Sequence, residues 1–298
     1  MTNSSFTLGD FLVNRNWIFA SGKGINVPDM DYHGYSMYGS SLYLMGDIQF
    51  CYNNITTTNH SSDGMYFDDF DYWGSRMYGT SSFAMGDVRF NNNTITAGDD
   101  GIEHVEMENH GYYMYNASSF MMENIEFCSN HIVSQDDGMY LDDFDYWGHY
   151  MYGTSSFAMG DVRFNNNTIT AGDTGIEQRE MERHGSHMYN ASSFMRGTIE
   201  LCSNHIVSEE DGMYLDDFDW WGYYVYDVAT ASCGNLLINN NSITAGDDGI
   251  YHGEINEHAY YVYDTAKVTI GITQFCRNSI HAGEKGMNLQ DFDWWGEQ

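Results

Sequence analysis

Carboxylates recur in two kinds of cluster along this chain, and paired carboxylates are what acid–base chemistry and cation binding both require. One kind precedes a glycine: Asp99-Asp100, Asp136-Asp137, Glu210-Asp211 and Asp247-Asp248, with a single Asp173. The other is Asp-Asp-Phe-Asp. It supplies Asp68, Asp69 and Asp71, then Asp142, Asp143 and Asp145, then Asp216, Asp217 and Asp219, with Asp291-Phe292-Asp293 at the end. Two neighbouring carboxyl groups can serve as acid and base in hydrolysis. An active site, however, is one constellation in one place, and these clusters repeat, as turns do. For the second kind, calcium is the candidate cofactor, because it takes about six to eight oxygen ligands in flexible geometry. A hydrated acidic face is the alternative, since neither an EF-hand spacing nor a nonapeptide calcium repeat is present. Like charges ~5 Å apart repel by roughly 3–4 kcal/mol at an effective dielectric of about 20. The second cluster is therefore expected on every other repeat, where the separation doubles.

Thiols form a second regular series. Cys51, Cys128, Cys202 and Cys276 share one phase, and Asn91, Asn165 and Asn239 occupy that phase in between. Two strands apart is roughly 9.6 Å, beyond the Cα separation of about 7 Å that a disulfide tolerates. These cysteines cannot bridge one another. They are either small buried residues or a row offered to another copy for intermolecular disulfides. No Cys-x-x-Cys spacing suggests a metal. Cys233 falls in a different phase, replacing Met85 and Met159, and belongs to the core.

The phase is set by a repeat that runs the whole chain. Ile18, Ile55, Ile95, Ile132, Ile169, Ile206, Ile243 and Ile280 are separated by 37 residues, except once by 40 across an insertion near Thr57–Ser62. Two residues before them stand Asn16, Asn53, Asn93, Asn130, Asn167, Asn204, Asn241 and Asn278. A glycine follows each: Gly24, Gly64, Gly101, Gly138, Gly175, Gly212, Gly249 and Gly286. A fixed period in this range marks a stack in which each repeat buries its apolar face against its neighbours. Residues 64–101 and 138–175 differ at only four positions, so the full unit is 74 residues.

Within a repeat three strands are expected: one after the glycine, as in Ile102–Val105; one rich in Tyr and Met, as in Tyr112–Tyr115; and one that alternates, as in Asp87–Phe90, before turning through Asn into Thr-Ile-Thr. Alternation, β-branched and aromatic residues, and Gly, Asn and Ser punctuation favour strands. Proline occurs once, at Pro28. The fold class is all-β: a β-solenoid of eight rungs over residues 1–298, one domain without capping repeats at either end. Folded at its period, the sequence gives columns. They include the asparagines from Asn53 to Asn241, the tyrosines Tyr78, Tyr115, Tyr152 and Tyr189, and an alternation from His33 and Trp73 through Trp221 and His258 to Trp295. Such columns are expected to stack and to form ladders of side-chain hydrogen bonds. An exposed strip for binding carbohydrate is the alternative.

Lys and Arg total 11 against 43 Asp and Glu, a formal charge of −32. Nucleic acid is a poor partner for that surface. No apolar run is long enough to insert in a membrane, and no signal peptide is visible. Other copies of the chain are the expected partner.

The pattern Asn-x-Ile followed by Gly-Ile or Gly-Met resembles the right-handed parallel β-helix of pectate-lyase-like proteins. Ala97-Gly98-Asp99-Asp100-Gly101-Ile102 is similar to the paired-aspartate motif of polygalacturonases, which implies inverting hydrolysis of polysaccharide. That family's other motifs are missing: only the bare His110-Gly111 and His184-Gly185 occur, and no Arg-Ile-Lys follows. In its acidic, aromatic, Asn-rich rungs and sparse periodic cysteines, the whole chain resembles the amyloid-like sheath proteins of filamentous methanogenic archaea. That resemblance implies a structural, self-assembling protein of the cell envelope, extracellular or at the cell surface, and no enzyme.

Overall fold

A computed structural model describes residues 2–290. The chain is an all-β, parallel β-solenoid. The first coil carries β1 (Ser5–Leu8), β2 (Phe11–Leu12), β3 (Trp17–Ala20) and β4 (Ile25–Asp29). Each is the first member of its own eight-stranded parallel sheet, to which every later coil adds one strand in sequence order. Register follows the period, as in Ile18 against Ile55 and Ile95 against Ile132.

Four strands per coil replace the three expected. The alternating segment is two strands, as at Val88–Arg89 and Thr94–Thr96, and Ser82–Met85 is a further one. The Tyr-Met segment is no strand. It pairs only through single bridges, Met77 to Met114 and Met114 to Met151. Its preceding residues Arg76, Tyr113, Tyr150 and His187 have φ between 54° and 60°, a left-handed conformation that turns the chain at a corner and cannot extend a ladder.

Inward positions fill one continuous core. Phe50, Phe90, Phe127 and Phe164 stack at ring separations of 5.3, 4.5 and 5.2 Å, near the strand spacing of about 4.8 Å. The His–Trp alternation lies inside this core. Trp147 stacks on His184 at 4.6 Å and donates its Nε1–H to the Met107 carbonyl at 2.7 Å. The column is therefore packing, and its described tryptophans are not a surface strip; Trp295 lies outside the described residues.

The asparagine column forms the expected ladder. The Asn130 backbone N–H and Nδ2 both donate to Oδ1 of Asn167, at 2.9 and 3.1 Å, and Nδ2 donates again to the Phe90 carbonyl at 2.7 Å. Asn53, Asn93, Asn167, Asn204 and Asn241 repeat the pattern. A buried amide is thus satisfied entirely by neighbouring coils. The glycine column answers a close approach, since a Cβ on Gly101 would stand 2.5 Å from the Gly138 carbonyl oxygen.

Candidate functional site

The last strand of each coil delivers the Asp-Asp-Phe-Asp acids to one corner of the solenoid. In register, Asp69 stands against Glu106 and Asp29. Backbone hydrogen bonds continue the match around the corner: Phe70 N–H to Glu106 O, Met107 N–H to Asp143 O, Phe144 N–H to Glu180 O. Two residues on, Tyr72 N–H reaches Glu108 O, Asn109 N–H reaches Asp145 O and Tyr146 N–H reaches Glu182 O. Two acidic columns result. One runs Asp69, Glu106, Asp143, Glu180, Asp217, Glu254; the other runs Asp71, Glu108, Asp145, Glu182, Asp219, with Asn256 next. Between them Phe70, Met107, Phe144, Met181 and Phe218 point into the core and are fully buried.

The separation expected on alternate repeats is therefore not realised. The sequence motif lapses in the intervening coils, but Glu106, Glu108, Glu180 and Glu182 carry the same charge at the same positions. Sequence reasoning missed these glutamates because it followed the Asp-Asp-Phe-Asp string; adding 37 to Asp69 and Asp71 would have found them. Adjacent carboxylates in each column face the repulsion of roughly 3–4 kcal/mol per pair that ~5 Å implies.

Burial compounds the charge. Asp71, Asp145 and Asp219 are 5%, 2% and 4% exposed, and the Oδ1 atom of each has no hydrogen-bond partner. Desolvation, then the charge of Asp69, pushes Asp71 up to about 7. Burial and the Asp216 charge push Asp217 up to about 6. Asp145 is raised by burial and by Glu108, and Asp219 by burial and by Glu182. Among the described residues, Arg183 beside Glu182 is the one basic side chain forming an ion pair with either column. Ligand oxygens of Asp71, Glu106 and Glu108 lie within 4.8 Å of one another, as do those of Asp142, Asp143 and Glu180. The first acid of each triplet is partly engaged elsewhere: Asp142 accepts from Tyr140 at 3.0 Å and Asp216 from Tyr214 at 3.1 Å. Asp68 lies against the hydroxyl of Tyr66. Asp291 and Asp293 lie outside the described residues.

The acids before glycine do different work. Asp100 Oδ1 accepts the Asp137 N–H at 2.9 Å, Asp137 Oδ1 accepts the Thr174 N–H at 2.9 Å, and Asp211 Oδ1 accepts the Asp248 N–H at 2.9 Å. They tie one turn to the next.

The cysteine phase is an alternating ladder. Asn91 Oδ1 accepts the Cys128 N–H at 2.7 Å, and the Cys128 thiol reaches the Arg163 carbonyl at 3.6 Å. Cys51 and Cys202 do the same with Arg89 and Leu237. All five cysteines are free. Cys51 is buried, Cys128, Cys202 and Cys276 are half-buried, and burial pushes the Cys128 thiol up to about 11. Cys233 is in the core, as its phase predicts.

The tyrosines Tyr78, Tyr115, Tyr152 and Tyr189 stack face to face, at 4.9, 5.0 and 4.9 Å and within 4° of parallel. Each ring face is covered by the next ring, which leaves edges and hydroxyls for solvent and no open face for a sugar. No family model, curated protein or solved structure was found to match the chain.

Proposed function

We propose that the chain is a structural, self-assembling protein of an extracellular sheath, filament or cell-surface layer, in which copies stack head to tail through their coils. The observation that carries this reading is the alternation of the Asn–Cys ladder. The first coil contributes Asn14 and the eighth contributes Cys276. A second copy placed on the eighth coil would set its Asn14 over Cys276 and keep the alternation in phase. In such a stack the outermost coils of this sequence would be covered. Phe6, inward-facing in the first coil, is 46% exposed, whereas its equivalents Phe83 and Phe120 are fully buried. At the far end Met287 is 48% exposed where Met213 and Ile250 are buried. A strand edge with unpaired backbone groups is a template for another chain. The archaeal sheath resemblance fits such a polymer, and the half-buried Cys128, Cys202 and Cys276 are the members of the cysteine row that could reinforce it laterally.

Electron microscopy of the purified chain tests this. Filaments, rings or tubes with an axial repeat near eight strand spacings, about 38 Å, are expected. Phe6→Lys with Leu8→Lys should leave discrete particles, since charge on an open edge blocks pairing. Wild-type chain that stays monomeric at micromolar concentration overturns the reading, and loss of lateral order on reduction would assign the cysteines to crosslinks.

A further inference from the structure

We propose that the two acidic columns bind a row of hard divalent cations of calcium's type, each held between carboxylates of successive coils. The glutamates of the intervening coils make these sites, and the Asp-Asp-Phe-Asp strings alone do not. The donors at the corner are carboxylate oxygens, with no thiol or imidazole among the clustered ligands; oxygen-only donors select calcium, magnesium or manganese over zinc or copper. Cluster oxygens within 4.8 Å of one another can share an ion with metal–oxygen distances of about 2.3–2.6 Å. Calcium accepts the irregular shell that two columns of Asp and Glu provide, whereas magnesium demands a near-ideal octahedron.

A second observation points to a ligand. Asp71, Asp145 and Asp219 are each more than nine-tenths buried, and each keeps one carboxyl oxygen without a hydrogen-bond partner. Asp145 meets Glu108 through its carboxyl group, and its Oδ1 still has no partner. A cation lying between the columns ligates that oxygen too, and it neutralises charge that Arg183 meets at only one coil. The glycine turns also gather carboxylates within 4.8 Å, among them Asp99, Asp100 and Asp136 and then Asp136, Asp137 and Asp173, but among the described residues none of those acids keeps a buried oxygen without a partner. There Asp100, Asp137 and Asp211 spend an oxygen on a backbone N–H of the next coil, and Lys23 already sits on Asp63 at 2.9 Å.

The test uses the full wild-type chain, stripped with chelator and titrated with calcium by calorimetry, with terbium luminescence as a second probe. Tyr72 and Tyr146, beside Asp71 and Asp145 in sequence, are placed to sensitise bound terbium. At least two ions per chain are expected, one at Asp71, Glu106 and Glu108 and one where Asp142 joins the column acids Asp143 and Glu180, with a higher melting temperature in calcium than in chelator. Asp145→Asn with Glu108→Gln should remove part of the stoichiometry, while Glu209→Gln, on an exposed turn, should leave it unchanged. Wild-type chain that binds neither ion at millimolar concentration, or melts at the same temperature with and without calcium, overturns the proposal without recourse to any variant. Binding that survives Asp145→Asn with Glu108→Gln at full stoichiometry overturns the assignment to these columns.

Discussion

Arg196 is paired in register with Cys233 in the first sheet, at a position where other coils place Met45, Met85, Met122 and Met159. Its guanidinium is 4.2 Å from the centre of the Trp221 ring, and Nε, Nη1 and Nη2 have no hydrogen-bond partner. Arg196 is 1% exposed. A buried charge lacking full hydrogen bonding costs several kcal/mol, and apolar replacements of similar volume are often stabilising by about 1–4 kcal/mol. Arg196→Met restores the residue its own column specifies. Its unfolding free energy, measured by denaturant titration, should rise by about 1–3 kcal/mol; a fall would show that stacking on Trp221 outweighs desolvation.

The asparagine ladder should fail in the opposite direction. Asn167 accepts from the backbone and side chain of Asn130 and donates to the Phe127 carbonyl and to Asn204. Asn167→Ala deprives the buried Asn130 N–H and the Phe127 carbonyl of partners, each worth about 1–3 kcal/mol when left unsatisfied. A loss of about 3 kcal/mol by the same titration is expected, and a loss under about 1 kcal/mol would mean that water enters the ladder.

The glycine column makes a steric prediction. Gly101→Ala would set its Cβ 2.5 Å from the Gly138 carbonyl oxygen and closer still to Ile132 Cγ2. Neither is the free end of a flexible side chain, so two coils must separate. A cost of about 3 kcal/mol is expected, at the upper end of ordinary overpacking, with a lowered melting temperature as the readout.

Much of this was legible in the sequence because a parallel stack places residues one period apart beside one another. Asn130 over Asn167, Tyr115 over Tyr152 and the in-register isoleucines follow from that alone. Local patterning was less reliable. Tyr112–Tyr115 has strand composition, yet Tyr113 at φ 60° makes a corner, because corner geometry is set by the coils above and below. The acidic site was half legible for a related reason: Asp and Glu differ in side-chain length and break a motif, but they are one charge in a column. The missed Arg196 had its signal in the methionine column.

The pH dependence follows from two sets of buried groups with opposite signs. His104, His110, His252 and His258 are pushed down to about 3 by burial, below an ordinary value near 6.5. The unfolded chain binds more protons than the folded chain between those values, so their contribution is complete above about 6.5 and is lost as pH falls toward 3. Asp71 and Asp217, raised to about 7 and about 6, do the reverse. The folded chain holds the extra protons, so their contribution is complete below about 4 and is lost as pH rises through their folded values. Asp145 and Asp219, also raised, extend that loss to higher pH. Above about 6.5 only carboxyl groups are still changing, and Asp100, Glu103 and Asp137 at the glycine turns, raised to about 7, about 8 and about 9, add to the same decline. Without divalent cation the melting temperature should therefore decline from pH 7 to 9. Calcium should flatten that decline by replacing the protons with a charge that does not titrate. Asp145→Asn with Glu108→Gln should shrink the decline even in chelator. A melting temperature that rises over this range in chelator would show that the acidic columns are already solvated and that burial at this corner is not felt by their charges.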